Sequence, residues 1–216
     1  MADNVQRIAK SLYGGDIEAV AELVQEALDS GMAPERVLRD ALLAGMDVVG
    51  KDFKEGVLFV PEVLFAARSM QAGMDVLRPL LAEGDLASAG KYVLGTVKGD
   101  MHDIGKNLVR MMLEGGGFEA IDLGVDVEPS AFVDAVREHK PDLLGMSALL
   151  TTTMAQMKVT IDALEEAGLR DSVKIVIGGA PVTADFARQI GADGFAEDAA
   201  TAVDVARELK GSATPN

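Results

Sequence analysis

The sequence has 216 residues, of which 35 are acidic and 20 are basic, so its formal net charge is −15. A field of that sign repels nucleic acid and anionic membranes, and we expect neither as a partner. The chain has no cysteine, which excludes disulfides, thiolate metal sites and a cysteine nucleophile. No apolar run approaches the ~20 residues of a membrane span, and the N-terminus does not resemble a signal peptide, so a cytoplasmic location is expected.

The sequence pattern of residues 1–83 predicts helices and no strands. Apolar residues recur at helical spacing from Ile17 to Leu28. Pro34 suits the first turn of a following helix, Gly56 interrupts the pattern, and Pro61 opens another helix. The segment therefore predicts a small four-helix bundle. Residues 84–90 are small and polar, which is typical of a linker.

From Lys91 onward, short apolar strands alternate with helices. This order predicts an α/β domain over residues 91–216, a doubly wound, five-stranded parallel sheet of the flavodoxin or Rossmann-like type. The strands are expected near Tyr92–Val97, Ala120–Leu123, Leu143–Ser147, Lys174–Ile177 and Gly194–Ala196. The helices are expected near Ile104–Leu113, Pro129–Glu138, Thr153–Ala167, Thr183–Ile190 and Ala199–Leu209.

The most informative segment is the loop after the first strand, which contains Asp100-Met-His102-Asp-Ile-Gly105. An imidazole that ligates a metal normally donates its second N–H to a carboxylate or carbonyl, and Asp100 stands two residues before His102. Ligands of such sheets lie outside the carboxyl ends of the strands, where this loop is predicted. In the alternative interpretation, His102 merely lines the loop and Asp100 caps the following helix.

A metal site built from protein ligands alone is disfavoured. His139 is the other histidine of the chain, and it falls at the end of a predicted helix, where a solvated imidazole is the ordinary interpretation. One histidine without cysteine does not complete a zinc site. If His102 binds a metal, the remaining ligands must come from a macrocycle.

Two further loops at the same edge of the sheet carry unusual residues. The loop after the third strand offers hydroxyls on Ser147, Thr151, Thr152 and Thr153. One of them could bond Asp100, although helix capping by Thr152 or Thr153 is an equal alternative. The loop after the fourth strand begins with Gly178-Gly179, which either admits a flat group or forms a plain turn.

Three competing sites of this fold class do not match the sequence. The glycines at 95, 99 and 105 do not have the Gly-x-Gly-x-x-Gly spacing of a dinucleotide-binding site. Asn107 follows Gly105-Lys106, where a phosphate loop requires Ser or Thr. The third strand ends in Met146-Ser147, where a phosphoacceptor domain would place an acid.

The chain resembles the corrinoid (vitamin B12) proteins of methyltransferase systems and the cobalamin-binding modules of methionine synthase. The segment from Gly95 to Asn107 looks like the family's signature for a cofactor whose lower base is replaced by histidine. Ser147-x-Leu149 and Gly178-Gly179 look like its second and third elements. Asp52-Phe-Lys-Glu-Gly56, followed by Phe59-Val-Pro-Glu62, looks like its helical cap. The resemblance covers nearly the whole chain.

This resemblance implies that residues 1–83 form a cap and that the α/β domain binds cobalamin, with His102 as the lower axial ligand of cobalt. Asp100 and Thr153 would form a hydrogen-bonded relay, Thr153 standing where methionine synthase has a serine. Phe53 and Val60 would cover the upper, methyl-bearing face. The residues expected to contact the cofactor are Gly99, Asp100, Met101, His102, Asp103, Ile104, Gly105, Ser147, Leu149, Thr151, Thr153, Gly178 and Gly179.

The implied function is methyl carriage, in which cobalt alternates between cob(I)alamin and methylcob(III)alamin. The resemblance further implies three partners: a donor-specific methyltransferase, an acceptor methyltransferase that uses tetrahydrofolate or a thiol, and a corrinoid reductive activase. The chain itself would need these partners for turnover. Two alternatives are a cobalamin-binding mutase subunit, which would not need the cap motif, and a cobalamin-dependent sensor, which would usually add a DNA-binding segment.

Overall fold

The computed structural model describes residues 2–81 and 89–211, which form two compact units. One is helical and comprises residues 2–81 together with 114–117. The other is an α/β unit of residues 89–113 and 118–211. Most of the predicted linker, residues 84–88, lies outside the described residues, so the predicted domain boundary stays a prediction.

The helical unit contains four helical stretches over residues 2–81, as the sequence predicts. Asp16 caps the second stretch by accepting a hydrogen bond from the amide of Ala19. The third stretch differs from an ordinary helix, because a π-helical segment, Leu38–Leu43, interrupts it. The bounds are α1 Ala2–Tyr13, α2 Ile17–Asp29, α3 Pro34–Val37 leading through the π segment into α4 Ala44–Lys54, and α5 Val60–Leu77, which ends in a 3₁₀ turn, Arg78–Leu80.

The core of the helical unit depends on a close approach at Gly73 of α5. A Cβ added to Gly73 would lie 3.0 Å from the methyl carbons of Leu42 and 3.2 Å from Cγ1 of Val20. Glycine therefore lets α5 approach the other helices within ordinary packing distance. The side chains fully buried in this core include Ile8, Leu12, Val20, Val24, Val37, Leu42, Val49, Val63 and Leu77. Among the described helices, none is long and apolar enough to cross a membrane.

The α/β unit is a parallel sheet of five strands within the described residues, in the order β2-β1-β3-β4-β5. The predicted doubly wound fold is confirmed. The order reverses between β1 and β3, which is where such sheets bind their ligands. The bounds are β1 Gly90–Thr96, α6 Ile104–Gly115, β2 Phe118–Asp122, α7 Pro129–His139, β3 Leu143–Ser147, α8 Ala155–Glu166, β4 Lys174–Gly178, α9 Ala184–Ile190, β5 Gly194–Ala196 and α10 Ala199–Gly211.

The first strand begins earlier than the sequence predicts. Gly90, which the sequence assigns to the linker, pairs with Phe118 as the first residue of β1. The side chain of Asp142 accepts a hydrogen bond from the amide of Lys91 at 2.8 Å. This long-range contact extends the strand beyond its apolar run, which is why the local pattern did not reveal it.

Two glycines allow large side chains to lie across the centre of the sheet. A Cβ on Gly145 of β3 would lie 2.6 Å from Cε1 of Tyr92, whose ring also packs edge-on against Phe118 at 6.4 Å between centroids. On β1, a Cβ on Gly95 would lie 3.0 Å from the ring of Phe132. Both sheet faces are therefore covered, as the apolar strands require.

We expect Gly145→Ala to lower the free energy of unfolding by about 1–3 kcal/mol, because the buried ring of Tyr92 must shift to admit the methyl group. Urea denaturation followed by circular dichroism measures the change. Gly105→Ala is the control, since a Cβ there meets nothing within 4 Å. An unchanged stability of the Gly145→Ala variant would contradict this packing.

Candidate functional site

The candidate site lies at the carboxyl ends of β1 and β3, on either side of the point where the strand order reverses. The loop from Val97 to Asp103 joins β1 to α6, and the loop from Ala148 to Met154 joins β3 to α8. The first loop is attached to the end of β3, because the amide of Val97 donates to the carbonyl of Ser147 at 3.0 Å. Parallel pairing thus brings together segments that are about 50 residues apart.

The carboxylate of Asp100 joins the two loops. Its Oδ1 accepts a hydrogen bond from the amide of His102 at 3.1 Å and lies 2.7 Å from Nδ1 of the same residue. Its Oδ2 accepts from the amides of Leu149 and Leu150 at 2.8 and 3.2 Å, and from Oγ1 of Thr153 at 2.7 Å. The side chain of Asp100 is fully buried, so these bonds replace the water that an exposed carboxylate would have.

The ionisation of Asp100 sets the tautomer of His102. Burial alone would raise the pKa of Asp100, but the hydrogen bonds from Thr153, His102 and Leu149 outweigh it and hold that pKa well below its ordinary value. A carboxylate only accepts hydrogen bonds, so Nδ1 of His102 must carry the proton. Nε2 then keeps its lone pair and is the ring nitrogen available to a metal.

The same two loops expose apolar side chains beside an accessible imidazole. The side chain of His102 is half exposed. Met101 and Ile104 are 67% and 80% exposed, and Leu149 and Leu150 are also exposed. Adjacent exposed apolar side chains on a loop that also presents a ligating nitrogen suit a large, flat and partly apolar ligand. The residues thus fit a corrin macrocycle, which would supply the ligands that the chain lacks.

The glycines of the third loop are required by the protein's own backbone. Gly179 has a φ of 127°, and a Cβ there would lie 2.0 Å from the carbonyl oxygen of Ala148. A Cβ on Gly178 would lie 2.9 Å from the carbonyl oxygen of Ala196. The alternative in which Gly178-Gly179 forms a plain turn therefore has a physical basis. The contact of these two glycines with a cofactor stays a prediction.

The other predicted contact residues of the α/β unit lie on the first two loops or at their ends. Gly99 has a φ of 79°, which favours glycine. Asp103 accepts a hydrogen bond from the side-chain amide of Asn107 at 3.0 Å, within the first turn of α6. Gly105 faces open space, and Thr151 is exposed on the loop after β3. The hydroxyl of Thr153 bonds Asp100, and α8 begins without a side-chain cap.

The predicted cap residues belong to the helical unit. Phe53 lies in the last turn of α4 and is partly buried, and Val60 is the first residue of α5. Two bonds hold the turn between these helices and its start: Glu62 accepts locally from the amide of Phe59, and Asp52 of α4 accepts from the hydroxyl of Tyr13 of α1 at 2.7 Å. This turn leaves Phe59 64% exposed. The role of Phe53 and Val60 over a cofactor stays a prediction.

The loop after β2 also reaches the site, and the sequence pattern did not predict this. Gly99 donates its amide hydrogen to Oδ1 of Asp126 at 2.6 Å, and the amide of Asp126 donates to the carbonyl of Asp100 at 3.0 Å. Lys106 is buried and pairs with Asp122 at 2.5 Å. Local spacing carried no signal for these residues, because they reach the loop only through the position of β2 beside β1 in the sheet.

Comparison with known proteins is consistent with this geometry. Residues 90–204 and residues 5–78 each match a family described as a B12 binding domain. A corrinoid protein of Desulfitobacterium hafniense is 41% identical over 96% of this chain and 97% of its own length. Trimethylamine corrinoid protein 1 of Methanosarcina acetivorans is 42% identical over 97% of this chain and 99% of its own.

A solved structure extends the likeness to the fold. The methanol:cobalamin methyltransferase complex of Methanosarcina barkeri contains a chain that matches with a TM-score of 0.88 and 34% identity, over 98% of this chain and 81% of that one. The fold and the site thus define a cobalamin-binding protein with a helical domain and a Rossmann-like domain. The chain belongs to the family of corrinoid proteins associated with methylamine and methanol methyltransferases. The resemblance inferred from the sequence is confirmed.

We expect Thr153→Val to lower the free energy of unfolding by about 1–2 kcal/mol, because the buried carboxylate of Asp100 loses a hydrogen-bond donor while the volume is kept. Urea denaturation of the cofactor-free protein measures the loss. Thr153→Ser keeps the hydroxyl and should stay close to the parent protein. If Thr153→Val is as stable as Thr153→Ser, the hydrogen bond from the hydroxyl of Thr153 to Asp100 does not stabilise the fold and the prediction is wrong.

Proposed function

We propose that this chain is the methyl-carrying corrinoid subunit of a methyltransferase system, with His102 as the lower axial ligand of cobalt. The observation that carries the proposal is the bond between the half-exposed imidazole of His102 and the buried carboxylate of Asp100. The cofactor, when bound, supplies a cobalt centre that accepts a methyl group from a donor and gives it to an acceptor.

The residues of the chain prepare the imidazole for this role. Asp100 fixes the direction of the ring and holds the proton on Nδ1, which leaves Nε2 for the metal. Thr153 completes the relay by donating to Asp100. Because Asp100 keeps its charge, it also strengthens the imidazole as a ligand.

The remaining contacts divide between the two units. In the α/β unit, we assign the loop residues Gly99, Met101, Asp103, Ile104, Gly105, Ser147, Leu149, Thr151, Gly178 and Gly179 to cofactor contact. In the helical unit, we assign to Phe53 and Val60 the cap role that the resemblance implies. The domain division proposed is a cap over residues 1–83, a linker from residue 84, and a cobalamin-binding domain that begins with β1 at Gly90.

The partners proposed are a donor-specific methyltransferase, an acceptor methyltransferase and a reductive activase. The names of the similar proteins support the first of these, since one is a trimethylamine corrinoid protein and another belongs to a methanol:cobalamin methyltransferase complex. Those names differ in their methyl donor, so the donor of this chain must be found by experiment. The cytoplasmic location stays a prediction.

We expect His102→Ala to abolish the spectrum of histidine-ligated cobalt and to weaken cobalamin binding by at least about tenfold. Electron paramagnetic resonance of the cobalt(II) form detects the axial nitrogen, and a cobalamin titration measures affinity. His139→Ala is the matched control, because His139 lies at the end of α7, away from the carboxyl ends of the strands. A wild-type spectrum in the His102→Ala variant would sink the ligation assignment.

A second experiment tests methyl carriage. The chain is loaded with cob(I)alamin and mixed with purified donor methyltransferases and their substrates, namely methanol, the methylamines, betaines or aryl methyl ethers. We expect one donor class to convert the cofactor to methylcobalamin, followed by absorbance. If the loaded protein accepts a methyl group from none of these classes, the carrier function is wrong, and a mutase or sensor role replaces it.

A further inference from the structure

The loop that carries His102 is held from a second side, by the segment that follows β2. Oδ1 of Asp126 accepts a hydrogen bond from the amide of Gly99 at 2.6 Å. The amide of Asp126 donates to the carbonyl oxygen of Asp100 at 3.0 Å. One residue thus bonds both sides of the Gly99–Asp100 step, through its side chain and its backbone.

The backbone of Asp126 adopts a conformation that L residues rarely use. Its φ is 52°, in the left-handed region, where Asp and Asn are tolerated better than other residues with a Cβ. Among the described residues, Lys140 is the only other non-glycine residue with a positive φ. A disfavoured conformation persists where surrounding contacts fix it, and it often marks a functional position.

The segment that presents Asp126 is anchored to β1. The amide of Thr96 donates to the carbonyl of Gly124 at 3.0 Å, and the amide of Val127 donates to the carbonyl of Thr96 at 3.0 Å. The hydroxyl of the buried Thr96 also donates to the carbonyl of His102 at 2.9 Å. Asp126 therefore projects from a segment whose two ends are fixed to the strand that leads into the His102 loop.

We infer that Asp126 is a positioning residue for the axial ligand: it fixes the backbone of Gly99 and Asp100 and so holds His102 in the geometry that cobalt ligation requires. This inference rests on the function proposed above. The side-chain contacts of Asp100 lie toward β3, and Asp126 holds its backbone from the β2 side. The first set fixes the carboxylate, and the two bonds of Asp126 fix the backbone at Gly99 and Asp100, in addition to the bond from Thr96 to the carbonyl of His102.

The test compares two substitutions at Asp126 in the cobalamin-loaded chain. Asp126→Gly keeps the left-handed backbone and its amide but removes the side-chain acceptor. Asp126→Asn keeps an acceptor oxygen and tolerates the same φ. The ratio of histidine-ligated to unligated cobalt is measured by electron paramagnetic resonance and absorbance. We expect that ratio to fall about tenfold in Asp126→Gly and to stay within about threefold of the parent in Asp126→Asn.

A second readout uses the cofactor-free protein. The amide of Gly99 should exchange its hydrogen faster in Asp126→Gly than in the parent, since its acceptor is gone. Lys140→Gly is the matched control: it places glycine at the other left-handed position, at the C-terminus of α7. Both the ligation ratio and the exchange at Gly99 should be unchanged in that variant.

Several outcomes would overturn the inference. A parent-like ligation ratio in Asp126→Gly would do so, as would a loss in Asp126→Asn as large as that in Asp126→Gly. His102→Ala, measured in parallel, separates this inference from the proposed function. If His102→Ala alters the spectrum and Asp126→Gly does not, only the role of Asp126 is wrong. If neither alters it, histidine ligation is wrong and the role of Asp126 with it.

Discussion

The buried carboxylate of Asp100 is the interaction on which the site depends. Removing a charged carboxylate from water costs several kcal/mol unless donors replace the water. Here the donors are His102, two residues away in sequence, and three groups of the β3 loop, 49 to 53 residues away. The bonds that keep the carboxylate ionised also join the two loops. The same set of hydrogen bonds therefore maintains the charge of Asp100, sets the tautomer of His102 and holds the two loops together.

This arrangement requires that the ends of neighbouring strands lie close together, and the sheet provides that closeness through small residues. Gly145 leaves room for the ring of Tyr92, and Gly179 allows its backbone to approach the carbonyl of Ala148. Gly105 differs, because a side chain there would meet nothing within 4 Å. These glycines thus serve different purposes, because Gly145 and Gly179 admit close packing within the protein and Gly105 lies where a side chain would have open space.

Much of the fold could be predicted because the apolar pattern of each element is local. All five strands fall within a few residues of their predicted bounds. The π segment Leu38–Leu43 and the start of β1 at Gly90 were not predicted, since neither alters the spacing of apolar residues in a recognisable way. In the site, His102 and Asp100 were predicted together because they lie two residues apart in sequence and are joined by a short-range bond.

The sequence by itself determined the succession of helices and strands and the family, and it disfavoured a metal site built from protein ligands alone, because the chain has two histidines and no cysteine. Only the tertiary structure decided which donors satisfy Asp100, that Thr153 bonds it, and that Asp126 reaches the same loop from β2. The physical reason is that strand order and register bring these groups together across about 25 to 50 residues, and local spacing carries no record of either.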